Sequence, residues 1–124
     1  MDMLPTLLAA SGGTIAPGLG IDGVDLHATL RAPQITLPRQ VFWRHKAGEQ
    51  AAVREGDWKY LRLHGHEYLF NLAEDERERA DRAGHEPARL ASMKAAFATW
   101  NATMLPYPEQ SFSEGTKGKY PDRP

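Results

Sequence analysis

The chain contains no cysteine. That excludes a disulfide scaffold, a thiolate zinc site and a cysteine nucleophile, and it leaves the compartment open. An excess of one charge is missing as well: 15 Lys and Arg stand against 16 Asp and Glu, a formal net charge of -1. A nucleic-acid binder working by bulk electrostatics needs a clear basic excess, so no nucleic-acid partner is expected. No stretch approaches the roughly 20 apolar residues of a membrane span, and no membrane partner is expected. The opening residues Met1-Asp2-Met3-Leu4-Pro5 carry an acid where a secretory leader carries Lys or Arg. Also absent are a Gly-x-Ser-x-Gly elbow, a Gly-x-x-x-x-Gly-Lys phosphate loop and a Gly-x-Gly-x-x-Gly turn after a strand. Gly18-Leu19-Gly20-Ile21-Asp22-Gly23 comes near the last, but its glycine spacing fails and no strand pattern precedes it.

What is present suits one modest domain. The chain has 124 residues, 41% of them hydrophobic, with 11 Gly and 9 Pro that predict many turns. A short helix is expected from Leu4 to Ala10, with Asp2 as N-cap, Pro5 in the first turn and Ser11-Gly12-Gly13 as the stop. Leu4, Leu7 and Leu8 share one face of it and need cover. Asp25 to Arg31 suits two further helical turns, with Leu26 and Leu30 at i, i+4. Pro33 and Pro38 bracket an extended connection.

The middle alternates in the manner of an antiparallel meander. Strands are expected at Gln40–Lys46, Gln50–Arg54, Trp58–His64 and Glu67–Leu72, with turns at Ala47-Gly48-Glu49, Glu55-Gly56-Asp57 and Gly65. In the third strand Trp58, Tyr60 and Arg62 face one way and Lys59, Leu61 and Leu63 the other. In the fourth, Tyr68, Phe70 and Leu72 alternate. The charged run Ala73–Ala83 is expected to be a solvated loop or a frayed turn of helix. Pro87 starts a long helix whose Leu90, Met93, Phe97, Trp100 and Met104 fall on one stripe. Leu105-Pro106-Tyr107-Pro108 ends it. The fold class is thus α+β: a four-stranded antiparallel meander packed against a C-terminal helix, preceded by a short helix and a loop-rich segment. The divisions read as 1–38, 39–106 and an irregular tail, 107–124.

Few residues suggest chemistry. His64 and His66 lie at i, i+2, with His45 on another strand, but zinc needs three or four ligands at about 2 Å, and turn histidines are ordinarily exposed. The aromatic set Phe42, Trp43, Trp58, Tyr60, Tyr68, Phe70 and Trp100 is expected to be core. Arg44 and His45 end a strand, where an arginine can hold an anion with two hydrogen bonds. The plainer alternative is an Arg44 lying over Trp43.

Five motifs in order carry a family resemblance. Asp2-Met3-Leu4-Pro5-Thr6-Leu7-Leu8 through Gly12 resembles the Pro-Thr-Leu-Leu helix of the type I sulfatases, sulfuric ester hydrolases of the alkaline-phosphatase-like superfamily. Ile21-Asp22-Gly23-Val24-Asp25-Leu26 with Leu30-Arg31 resembles their Asp-Gly segment. Val41-Phe42-Trp43-Arg44-His45 resembles the first strand of their C-terminal subdomain. Val53-Arg54-Glu55-Gly56-Asp57-Trp58-Lys59 resembles their Arg-x-Gly-x-Trp-Lys hairpin. Tyr68-Leu69-Phe70-Asn71-Leu72-Ala73-Glu74-Asp75 resembles their Leu-Tyr-Asp-Leu-x-x-Asp-Pro-x-Glu segment, with Glu76 in place of the proline. The resemblance covers nearly all of 2–106.

The resemblance implies the C-terminal fragment of a sulfatase, with 1–38 as a remnant of the catalytic domain's last helix and loops. It implies a structural role and one wall of the substrate cleft, for which Arg44 and His45 are the substrate-binding candidates. The family's Cys-or-Ser-x-Pro-x-Arg nucleophile motif and its calcium ligands are absent, so no catalytic or metal residue is assigned and the chain alone is expected to be inactive. Calcium and formylglycine belong to a complete sulfatase. The rest of that catalytic domain is the implied partner, and a homodimer through Leu4, Leu7 and Leu8 is the expected outcome without it. The alternative is a stand-alone module that keeps this fold and binds a partner through those leucines, or an anion through Arg44, His45 and Lys46.

Overall fold

The computed structural model describes residues 1–32, 34–35, 37–45 and 50–107. The chain divides into two compact units, Met1–Pro38 and Arg39–Pro124.

In the first unit, α1 spans Met3–Ala10 and α2 spans His27–Arg31. The stop after α1 forms as expected. Gly12 takes φ +80°, which lets the Gly12 N–H reach the Ala9 carbonyl (3.0 Å) and the Gly13 N–H the Leu8 carbonyl (2.8 Å). These two bonds satisfy carbonyls that the helix leaves open. Asp2 does not cap with its side chain. Its carboxylate instead accepts from the Val24 N–H at 3.1 Å, while the Thr6 hydroxyl accepts from the Leu26 N–H at 3.0 Å. Asp2 is thus spent on pinning the returning segment, and Thr6, 8% exposed, is buried by the same contact. Gly23 is required there, because a Cβ would run into the Met1 carbonyl. The apolar residues of this unit find little cover: Met3, Leu4, Leu7 and Leu30 are all exposed.

In the second unit, β1 (Gln40–His45), β2 (Gln50–Glu55), β3 (Trp58–Leu63) and β4 (His66–Asn71) form a sheet in that order, antiparallel throughout, and α3 spans Pro87–Ala102. The meander is the one the alternation predicts. The Ala47-Gly48-Glu49 turn and Lys46 lie outside the described residues. The other two turns are two residues long. Gly56 alone is at positive φ in the first, and His64 (φ 52°) and Gly65 (φ 80°) both are in the second. Turns of these two kinds match the twist of the strands they join.

The pairing register places Phe42, Val53, Tyr60 and Leu69 in one row across the sheet. This row faces α3. Val53, Tyr60 and Leu69 are buried with Ala51 and the helix residues Met93 and Phe97, and Phe42, Trp58, Leu90 and Trp100 pack around them. Phe42 stacks on Trp100 with ring centroids 5.1 Å apart. Met104 falls beyond the helix end. Leu69, not singled out by the sequence pattern, is a core residue of β4.

Trp43 departs from the expected aromatic core: it is 51% exposed. Neighbouring strand residues point to opposite faces, so Phe42 and Trp43 cannot both face α3. The charged run 73–83 is the largely exposed loop expected, and it is also pinned to the sheet. The Asp81 carboxylate accepts from the Leu69 N–H (3.0 Å), and the Arg82 N–H donates to the Leu69 carbonyl (2.7 Å). Glu78 meets Lys59 of β3 with two hydrogen bonds of 2.7 and 2.8 Å. Asp75 sets the path between them by accepting from the Arg79 and Ala80 N–H groups at 2.6 and 2.7 Å. The Ala80 bond is the main reason the Asp75 carboxyl titrates below its ordinary value.

Candidate functional site

The family-like motifs turn out to be used inside the fold. In the hairpin 54–59, the Arg54 guanidinium donates to the Gly56 carbonyl (3.2 Å), Trp58 lies under the Arg89 guanidinium (4.6 Å), and Lys59 pairs with Glu78. In the next motif Asn71 accepts from the Asp75 N–H (2.9 Å) through its carbonyl and from the Ala73 N–H (3.2 Å) through its side chain. Arg54, Trp58, Lys59 and Asn71 thus each have a local structural task, and these motifs build architecture.

A polar network that reaches into the core has the same character. The Tyr60 hydroxyl donates to Glu67 (3.0 Å), whose other oxygen accepts from Lys94 of α3 (2.6 Å). Burial first, and then the Glu67 carboxylate, push the Tyr60 phenol up to about 12. Lys94 chiefly holds the Glu67 carboxyl below its ordinary value. The network joins β3, β4 and α3, and it faces the helix rather than an opening.

Arg44 and His45 lie at the end of β1, an edge strand. Arg44 is in the row with Ala51, Arg62 and Glu67 and so faces α3; His45 faces the other side and is exposed. One terminal nitrogen of the Arg44 guanidinium donates to the Asn101 side-chain carbonyl (3.0 Å), and the other donates to the Leu105 carbonyl. The Tyr107 ring lies 4.6 Å from its centre. These partners are 57 and more residues away, and no sequence spacing announces them. The expected alternative contact with Trp43 is not the one that holds the side chain.

Beside them, a pocket of about 290 Å³ is lined by Trp43, Arg44, His45, Gln50, Ala51, Ala52 and Leu61. It exists because Ala52 is the small member of the row Trp43, Ala52, Leu61, Tyr68. The three histidines are not brought together. His45 and His66 sit on opposite edge strands, three strand spacings or roughly 14 Å apart. Among the described residues no three His, Cys, Asp or Glu side chains cluster to hold a metal, and no helix is long and apolar enough to cross a membrane.

No protein-family model matches the chain. Solved structures do. The sulfatase Ps i-CgsB, in complex with k-i-k-neocarrahexaose, matches with a TM-score of 0.72 at 26% identity, over 93% of this chain and 27% of that one. A second structure of Ps i-CgsB matches with a TM-score of 0.68 at 27% identity, over 80% of this chain and 23% of that one. BT1596, described as a 2-O GAG sulfatase, gives a TM-score of 0.60 at 23% identity, over 82% of this chain and 24% of that one. A Bacteroides thetaiotaomicron protein designated BT33336S-sulf gives 0.67 at 16% identity, over 82% and 24%. The last two show the fold. The chain spans about a quarter of the length of the proteins it matches. In the order of its motifs and in its fold, the chain is similar to the C-terminal portion of sulfatases.

Proposed function

We propose that this chain serves as the C-terminal subdomain of a sulfuric ester hydrolase, supporting the catalytic portion and forming one wall of its substrate cleft. The observation that carries this reading is the match to Ps i-CgsB over 93% of the chain at 26% identity, with the motifs in family order. Residues 1–38 are then the last helix and connecting loops of the catalytic portion, and 39–106 the subdomain proper. The end of β1 is the cleft-facing part, with Arg44 on one face of the strand and His45 on the other as the groups offered to an anionic substrate. The neocarrahexaose bound to Ps i-CgsB favours an oligosaccharide ester as that substrate.

The chemistry belongs elsewhere in such an enzyme. A hydrated formylglycine would attack sulfur, and calcium would polarise the sulfate group. This chain's residues do not fit either group. The Cys-or-Ser-x-Pro-x-Arg motif is absent from its sequence, and Glu67, Asp75, Glu78 and Asp81 are engaged with backbone N–H groups and cations of the fold. No step is therefore assigned to it, and the purified chain is expected not to hydrolyse aryl sulfates with or without calcium. The exposed Leu4 and Leu7 favour a second reading, a stand-alone module that binds a partner or its own copy through α1. The genomic sequence upstream separates the two. An in-frame Cys-or-Ser-x-Pro-x-Arg there supports the subdomain; a stop codon directly before this chain, with calcium-dependent turnover by the chain itself, would overturn it.

A further inference from the structure

The contacts of Arg44 say more than that it lies near a cleft. Its two terminal nitrogens, the fork with which a guanidinium grips an oxyanion, hold the Asn101 side chain and the Leu105 carbonyl, and the Tyr107 ring covers one face. Those three partners come from the last turn of α3 and the residues just after it. They are uncharged acceptors and a ring. A doubly charged oxyanion makes stronger, charge-assisted bonds to the same nitrogens. Arg44 is only half-buried, so an ion can reach it from solvent.

We infer that Leu105–Tyr107 is an internal strap that competes with a sulfate-type oxyanion for Arg44, so that anion capture at the end of β1 and docking of the chain after α3 exclude one another. This rests on the proposed anion-binding role of Arg44. The strap keeps the guanidinium oriented and occupied until an anion takes its place. Binding at the β1 end then frees the segment leaving α3, and the position of that segment reports whether the site is filled. Reciprocity follows: whatever holds the segment down weakens the anion site by the same factor.

The test uses the full chain with nitrogen-15 labelling. Potassium sulfate is titrated against potassium chloride at matched ionic strength. The Arg44 Nε–H signal and the backbone amides of Leu105 and Tyr107 are followed together. In the wild type all three should move with one saturation curve, the two amides toward unstructured positions. In Asn101→Ala/Tyr107→Ala the Arg44 signal should saturate at roughly tenfold lower sulfate, since fewer contacts have to be displaced. In Arg44→Gln the amides should not respond. Circular dichroism checks that each variant folds; should Arg44→Gln fail, the double variant still decides. Equal sulfate affinity in the wild type and double variant, with the amides unmoved, would overturn the competition while leaving the anion site standing. No sulfate response at Arg44 in any variant would overturn both.

Discussion

The two units handle apolar residues differently. In Arg39–Pro124, alternation along the strands and the stripe on α3 bring one face of each together, and Val53, Tyr60, Leu69 and Met93 are each at most 2% exposed. In Met1–Pro38 the sequence is just as apolar, yet Leu4 and Leu7 are 55% and 61% exposed. The Thr29 hydroxyl there is buried without a hydrogen-bond partner among the described residues. What holds that unit is a helix stop, two side-chain-to-backbone bonds from Asp2 and Thr6, and the close approach at Gly23. Shape can therefore be specified by local polar contacts, but hydrophobic stabilisation needs a facing surface.

The sharpest way to break the contrast is in the second unit. Phe97→Ala should lower its stability by about 3–5 kcal/mol, as for a buried aromatic. Trp100→Ala should cost less, because Trp100 is only half-buried. A urea midpoint shift that is larger for Trp100 than for Phe97 would contradict the packing described.

Tyr60 gives the next effect. Its phenol, pushed up to about 12, stays protonated in the folded chain while the unfolded chain ionises near 10. Its contribution is complete below pH 10 and is lost as pH rises to about 12, a loss of roughly 2–3 kcal/mol. Tyr60→Phe should flatten that alkaline slope. Glu67 works at the other end: its lowered carboxyl contributes above its ordinary value and loses that contribution as pH falls through the folded one. A pH series of urea melts reads both limbs.

For the first unit, Thr6→Val should open the Leu26 amide to hydrogen exchange by about 1–2 kcal/mol while leaving the urea midpoint of the sheet unchanged. Smallest of all, Leu4→Ser/Leu7→Ser should alter stability by less than about 0.5 kcal/mol, as at exposed sites. It should still abolish any concentration-dependent association seen by light scattering in the wild type. A stability loss of several kcal/mol would mean that these leucines are covered within one chain.

The sheet and α3 were legible because period-2 and helical patterns, two short turns and Pro87 all agree on one answer. Trp43 lies off the core because strand phase overrides aromatic character: its neighbour Phe42 takes the face toward α3. The run 73–83 is legible as an exposed loop, but charge alone does not reveal its anchors; Asp81 and Glu78 meet theirs only once β3 and β4 are side by side. The end of β1 was legible as a place for Arg44, but its partners Asn101, Leu105 and Tyr107 depend on where α3 ends in space.

The bonds from Asp81 and Arg82 to Leu69 have a consequence for how the molecule behaves in a crowd. A free edge strand offers alternating N–H and C=O groups to any other chain, and hydrophobic sheets left open in this way join into fibrils. At the middle of β4, an outer strand rich in Tyr, Leu and Phe, both groups of Leu69 are already taken by the chain's own charged run. A second copy would have to peel that run away before it could pair there. The charged segment thus acts as a guard against intermolecular strand addition, and Asp81→Ala is the change that would expose the edge.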